Sequence, residues 1–181
     1  MKQITGLSAF VGLALLALAG CATVPSSEYD RQTLKADAEA SIAQMAAEDP
    51  SLPRFLDRAY GYVVFPHVGK GGLIAGGAYG RGIVYEKKQF IGYADISQIT
   101  IGAQAGGQSF MELVAFESQA DLDRFTAGKL TFSANLSAVI LKTGAAESAR
   151  YTDGVAVFVE PIGGAMVEAS IGGQQFTYQP K

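Results

Sequence analysis

Two kinds of side chain that most metal sites and hydrolases require are almost missing from this sequence. It contains one histidine, His67, one cysteine, Cys21, and no tryptophan. Zinc sites need several histidine or cysteine ligands, and many hydrolases need a histidine placed beside a nucleophile and an acid. We therefore expect no metal, no cofactor and no enzymatic activity, and we interpret His67 as a loop residue that follows Pro66.

Glycine motifs that bind phosphate are present only as fragments. Gly69-Lys70 resembles the end of a P-loop, but Val64 occupies the position of its first glycine and Gly71 that of its serine or threonine. A dinucleotide fingerprint fails at Tyr85, where the third glycine belongs. There is also no excess of positive charge, because 14 Lys and Arg stand against 17 Asp and Glu. We expect no nucleic-acid partner.

The N-terminus has the features of a secretory signal. Lys2 precedes an apolar run at residues 7–19, which ends in Leu-Ala-Gly-Cys at residues 18–21. This ending is similar to the bacterial lipobox, in which diacylglycerol is attached to the cysteine, the signal is removed and the new amine receives an acyl chain such as palmitate. We predict a signal peptide at residues 1–20, lipidation at Cys21 and a tether at 21–27. The alternative is a plain signal peptide with an incidental cysteine.

Lipidation would attach the protein to a membrane without spanning it. Several acyl chains provide the two or more anchoring signals that durable attachment needs. Ala22 follows the cysteine, where an aspartate would favour retention in the inner membrane. We therefore expect the protein to be lipid-anchored in the outer membrane and to face the periplasm.

Residues 28–181 have the pattern of one α+β domain. Leu34, Ala38, Ile42 and Met45 form one stripe of a helix at residues 28–48, and a short helix follows at 51–58. From residue 61 the apolar period drops to two. We predict N-terminal helices packed on a glycine-rich, mainly antiparallel β-meander, as a sandwich or a partly closed barrel. The predicted strands are residues 61–66, 73–85, 90–104, 108–116, 130–142, 155–160, 163–171 and 174–178, with a helix at 118–127 and a polar loop at 144–152.

Glycine is concentrated in residues 69–82. In an extended strand, side chains alternate between faces. One face then carries Gly72, Gly76, Gly80 and Gly82 with Ile74, Ala78 and Val84, and the other carries Tyr79, Arg81, Ile83 and Tyr85. Because glycine weakens a strand, four on one face predict a close backbone layer, a sharp bend in the sheet, or a ligand.

The order of these motifs resembles the SYLF domain family, also called DUF500. The resemblance covers nearly everything after the tether and rests on AYGYVVFP at residues 59–66, KGG at 70–72, GG at 76–77, GRG at 80–82, GAQAGGQ at 102–108 and IGGQ at 171–174. It implies a lipid-binding domain. The eukaryotic members recognise phosphoinositides, partly through an N-terminal amphipathic helix, whereas the first helix here is acidic.

Two functions follow as hypotheses. The first is an outer-membrane lipoprotein that binds phospholipid or a similar amphiphile, with the candidate contacts Lys70, Arg81, Lys87, Lys88, Leu73, Tyr79 and Ile83. Apolar residues would hold acyl chains, and the cations would meet a phosphate. The second is an adaptor lipoprotein that binds an envelope protein of unknown identity and no lipid. For Lys87 and Lys88, simple solubility of a charged turn is at least as good an explanation.

Overall fold

A computed structural model describes residues 27–72, 75–101, 106–130, 132, 138–163 and 173–181. The chain is an α+β domain, which confirms the predicted fold class. Its elements in chain order are α1 (Glu28–Glu48), α2 (Leu52–Leu56), β1 (Gly61–Gly72), β2 (Ala75–Glu86), β3 (Gln89–Ile101), β4 (Gly106–Phe116), α3 (Gln119–Thr126), β5 (Val139–Ile140), α4 (Ala145–Ser148), β6 (Val155–Gly163) and β7 (Gln175–Pro180).

The first helix lies where the apolar stripe predicts it. Ser27 caps α1, because its hydroxyl accepts a hydrogen bond from the amide of Asp30 at 3.0 Å. Ala38 and Met45 are fully buried, and Leu34 and Ile42 pack against the same cluster. The helix ends at Asp49, and α2 starts with a proline in its first turn.

The strands form one sheet with the order β5-β6-β4-β1-β2-β3-β7. The predicted meander holds for β1, β2 and β3, which pair antiparallel in sequence order. The next strand, β4, returns to the other side of β1. This places β4, β1, β2 and β3 in the 4-1-2-3 order of a Greek key.

A β-bulge interrupts the centre of β1. Phe65 and Pro66 stand opposite the single residue Gly82, because Val64 pairs with Ile83 and His67 with Arg81. Proline cannot donate a ladder hydrogen bond, and a bulge is one of the few places where a sheet accepts it. The predicted strand at 61–66 therefore does not end at the proline but continues to Gly72.

Each face of the sheet carries its own core. The helix face packs against α1, α2 and α4 through residues such as Met45, Leu52, Phe55 and Phe158. The other, which we call the phenylalanine face, is covered by α3 and contains Phe65, Phe116, Phe125, Phe132 and Phe176.

The sheet curls around the phenylalanine face. The rings of Phe176 in β7 and Phe65 in β1 are 6.0 Å apart between centroids. In a flat sheet, three strand spacings would separate these strands by about 14 Å. The edge strands β5 and β7 do not pair with each other in the described part of the chain, so the sheet is curled and open.

The C-terminal third differs from its prediction. Of the strand predicted at 130–142, residues 131 and 133–137 lie outside the described residues, and among the others Val139–Ile140 is the paired part. The loop predicted at 144–152 contains the one-turn helix α4. The strand predicted at 174–178 is β7, which pairs with β3. Its predicted hairpin partner at 163–171 lies, after Gly163, outside the described residues.

Asp49 joins the end of α1 to the distant α4 segment. Its carboxylate accepts hydrogen bonds from the amides of Ser51 (2.9 Å), Gly144 (3.0 Å) and Ala146 (2.6 Å), and from the Ser51 hydroxyl (2.7 Å). Burial alone would raise the pKa of Asp49, but the bonds from Ala146, Ser51 and Gly144 outweigh it and lower the pKa from the usual 3.8.

We expect Asp49→Ala to lower the free energy of unfolding by about 3 kcal/mol, because it leaves buried donors without an acceptor. Since the folded-state pKa lies below the unfolded one, this contribution is present above the unfolded pKa and is lost as the pH falls through the folded pKa. Urea unfolding at neutral and acidic pH measures both effects. The control is Asp57→Ala, at an exposed ion pair worth less than about 1 kcal/mol. Equal losses in both variants would contradict the prediction.

Candidate functional site

Two of the residues proposed from the sequence, Cys21 and Leu73, lie outside the described residues. The other six do not form a single site. Ile83 is fully buried under the helices. Lys70 lies on the phenylalanine face, because it follows Val68 by two residues and pairs with Ala78, both members of that core.

Lys87 and Lys88 form the two-residue turn between β2 and β3. Their φ angles are 46° and 67°, as a type I′ hairpin requires. The Lys87 ammonium lies 4.8 Å from the ring centroid of Tyr60, and Lys88 pairs with Asp57 at 2.5 Å. Six strand residues, or about 20 Å, separate Lys87 from Arg81. These lysines and Arg81 are therefore too far apart to bind one phosphate.

Lys88 also borders a small apolar cavity of about 170 Å³ between α1, α2 and β1. Its lining includes Ile42, Leu52, Leu56 and Tyr62. A shallower cleft of about 430 Å³ lies beside β5 and α4. Neither cavity contains Lys70, Tyr79, Arg81 or Ile83.

Tyr79 and Arg81 remain together on the helix face, beyond the part that the helices cover. Arg81 Nε donates a hydrogen bond to the Tyr79 hydroxyl at 3.1 Å and lies 3.9 Å from the carboxylate of Asp95. Partial burial raises the pKa of Tyr79, while the hydrogen bond from Arg81 opposes this shift. Asp95 is buried and offsets part of the charge on Arg81.

At Gly80 and Gly82, the glycine face selected from the sequence is filled by the backbone and side chains of the neighbouring strands. A Cβ on Gly82 would lie 2.5 Å from the Val64 carbonyl oxygen and 2.7 Å from the Phe65 ring. A Cβ on Gly80 would lie 2.7 Å from the His67 carbonyl oxygen and 3.2 Å from Ile96. The sequence predicted a close backbone layer, a sharp bend or a ligand beside these glycines. At Gly82, the close contacts come from the bend that the bulge introduces into β1.

Open glycines lie on the opposite side of the same strands. Strand register places Gly71, Gly77, Ile99 and Gly107 in one row across the helix face, and Gly69, Tyr79 and Ser97 in the next. A Cβ on Gly69 would meet nothing within 4 Å, and on Gly77 and Gly107 only one backbone oxygen each, at 3.5 and 3.9 Å. The sequence did not predict this row of open glycines, because its pattern placed Gly71 before a strand and Gly107 in a turn.

Two large side chains are exposed on the part of the sheet that carries the open glycines. Ile99 is 82% exposed and Tyr79 is 43% exposed. Both are apolar groups exposed on a bare part of the sheet, and we take the surface around them as the candidate site. We call the whole patch the distal surface; it comprises His67, Gly69, Gly71, Gly77, Tyr79, Arg81, Ser97, Ile99 and Gly107.

The distal surface has a polar end and an apolar end. Arg81 and the exposed His67 are register partners at one end. Ile99 lies at the other end, four residues along β3 from Asp95, the partner of Arg81, which is about 13 Å. Such a surface can contact an apolar chain at one end and an anionic or polar group at the other.

No helix in the described ranges combines the length and the apolar character that a membrane-crossing helix needs.

Comparison with known proteins found one similar chain and no matching family model. The similar protein is Beta cell expansion factor A of Aeromonas veronii, which is 26% identical over 140 residues. The match covers 77% of this chain and 53% of the relative, so the chain spans about half the length of that protein.

Gly82→Ala and Gly69→Ala should have opposite consequences for folding. The first forces a Cβ against backbone and a buried ring, and we expect it to lower the free energy of unfolding by more than about 2 kcal/mol. The second adds a methyl group to open space, and we expect a change between zero and about 0.5 kcal/mol in the stabilising direction. Chemical denaturation of both variants is the test. A tolerated Gly82→Ala would contradict the assignment of the filled glycine face.

Proposed function

We propose that the protein is an outer-membrane lipoprotein whose SYLF-like domain binds phospholipid through the distal surface. The observation that carries the proposal is the exposure of Ile99 and Tyr79 among the open glycines of the distal surface. An acyl chain or a bilayer surface would cover these apolar groups. Burying one isoleucine side chain contributes about 1.5–3 kcal/mol to such binding.

The arrangement of the polar end supports a phospholipid over a purely apolar ligand. Tyrosine combines an apolar ring with a hydroxyl and favours membrane interfaces. Arg81 donates a hydrogen bond to the Tyr79 hydroxyl, and the Arg81 side chain is 40% exposed. A guanidinium carries five donors, so a phosphate can accept from it while Tyr79 also does.

The expected lipid anchor at Cys21 would keep the domain at the membrane. Attachment raises the effective concentration of lipid at the distal surface, so even weak contacts become occupied. The resemblance to SYLF domains points to the same ligand class. Asp95 offsets Arg81, and we therefore expect apolar contact to dominate over long-range attraction to anionic lipid.

Flotation with vesicles of phosphatidylethanolamine and phosphatidylglycerol tests the proposal. Among the described residues, the first that packs against either core cluster is Leu34, so a chain beginning at residue 22 keeps both clusters. We expect this chain to float with vesicles at low and high salt, and Ile99→Asp to reduce the bound fraction about ten- to a hundredfold.

The matched control is Ile140→Asp, because Ile140 is exposed but lies on β5, five strand positions from β3 in the sheet. It should float like the unmodified chain. No flotation of the unmodified chain at either salt concentration would overturn the proposal. A lipid-free protein that copurifies with a stoichiometric envelope protein would favour the adaptor function instead.

Cys21→Ala should abolish lipidation while leaving secretion intact, because the thioether forms on that sulfur. Metabolic labelling with a palmitate analogue in the native host measures this. The unmodified protein should be labelled and partition with outer membranes. A labelled Cys21→Ala variant would show that the anchor lies elsewhere.

A further inference from the structure

One carboxylic acid lies deep in the phenylalanine face. Glu112 interrupts the apolar run of β4 and is opposite Phe65 in the register with β1. It is 0% exposed, and so is Gln174, which lies just before β7. Gln174 Nε2 donates a hydrogen bond to Glu112 Oε2 at 2.9 Å.

Within the described part of the chain, the remaining oxygens of this pair have no donor. Among the described residues, neither Glu112 Oε1 nor Gln174 Oε1 has a hydrogen-bond partner. Both are acceptors if the acid is ionised, and a buried acceptor without a donor is costly. A proton on Oε1 removes the conflict, because a neutral acid and an amide satisfy each other through two reciprocal hydrogen bonds.

We propose that Glu112 carries a proton in the folded protein and that its reciprocal pair with Gln174 is a latch that holds the C-terminal strand over the phenylalanine face. Gln174 reaches β4 from the far side of β1, β2 and β3. The latch is therefore a polar contact that ties the curled edge of the sheet back to its centre. Next to it, the Gly173 amide donates to the Phe132 carbonyl oxygen at 3.3 Å.

The charges around Glu112 agree with a neutral acid. Burial raises its pKa to about 8, although the Gln174 hydrogen bond and the charge of Lys70 on β1 work in the other direction. On β6, Glu160 points to the helix face, where it accepts a hydrogen bond from Gln44 at 2.8 Å. On α3, Asp121 and Arg124 pair with each other. In β7, Gln175–Pro180 carries no ionisable side chain other than Tyr178.

The latch responds to alkaline pH. The folded-state pKa exceeds the unfolded value, here 4.5, so the contribution to stability is complete below 4.5 and is lost as the pH rises through about 8. Between these two pKa values, each increase of one pH unit raises the unfolding equilibrium constant about tenfold through Glu112 alone. Ionisation also sets two acceptor oxygens against each other and releases Gln174.

Carbon NMR of the protein labelled with ¹³C at the glutamate carboxyl carbons tests the protonation directly. We expect one resonance that titrates near pH 8, stays neutral at pH 7 and disappears in Glu112→Gln. If every glutamate resonance titrates below about pH 6, the proposal is overturned.

Hydrogen exchange tests the latch. Exchange in β7, corrected for intrinsic rates, should accelerate above pH 8 in the unmodified protein. In Glu112→Gln it should not, because the introduced amide donates to Gln174 at any pH. The control Glu160→Gln alters a second acid–amide pair, on a half-exposed residue, and should keep the alkaline acceleration. Identical exchange profiles for Glu112→Gln and the unmodified protein would also overturn the proposal.

Discussion

The bulge at Phe65 and Pro66 determines which side chains of β1 reach each core. Before the bulge, Phe65 points to the phenylalanine face; after it, Val68 does, three residues later. In an uninterrupted strand His67 would follow Phe65 into that core. The extra residue instead places His67, Gly69 and Gly71 on the helix face. Gly82 is required opposite, since only a residue without a Cβ leaves room for the Phe65 ring.

The reversal of side-chain direction after the bulge in β1 produces the distal surface. It aligns the open glycines of β1 with Gly77 of β2 and Gly107 of β4. The strands extend beyond the area that α1 and α2 cover, so Ile99 and Tyr79 remain exposed there. An uncovered sheet with bare backbone would invite nonspecific association, and the nearby Arg81 and Asp95 pair adds polarity to it. The phospholipid that we propose as the occupant would combine an apolar chain with a polar head group.

Local patterns predicted the elements better than their arrangement. The stripe from Leu34 to Met45 predicted α1, and the capping box of Ser118 and Asp121 is local too. The pairing of β4 with β1 depends on contacts between residues far apart in sequence, and the hydrophobic pattern of each strand does not predict its partner. Pro66 was interpreted as a strand end because the bulge that accommodates it needs Gly82, sixteen residues away. Ile99 has the same alternating pattern as a core residue, so its exposure is visible only in three dimensions.

Two acids that are fully buried in the described part of the chain show why burial alone does not decide ionisation. Asp49 and Glu112 are both 0% exposed. Asp49 accepts four hydrogen bonds from backbone and hydroxyl donors, which solvate its negative charge. Among the described residues, Glu112 has one donor, Gln174, whose own oxygen would repel a second carboxylate oxygen. The number of donors therefore separates a charged structural cap from a neutral acid. That difference gives the two sides of the sheet opposite responses to pH, with Asp49 on the helix side sensitive to acid and Glu112 on the phenylalanine face sensitive to base.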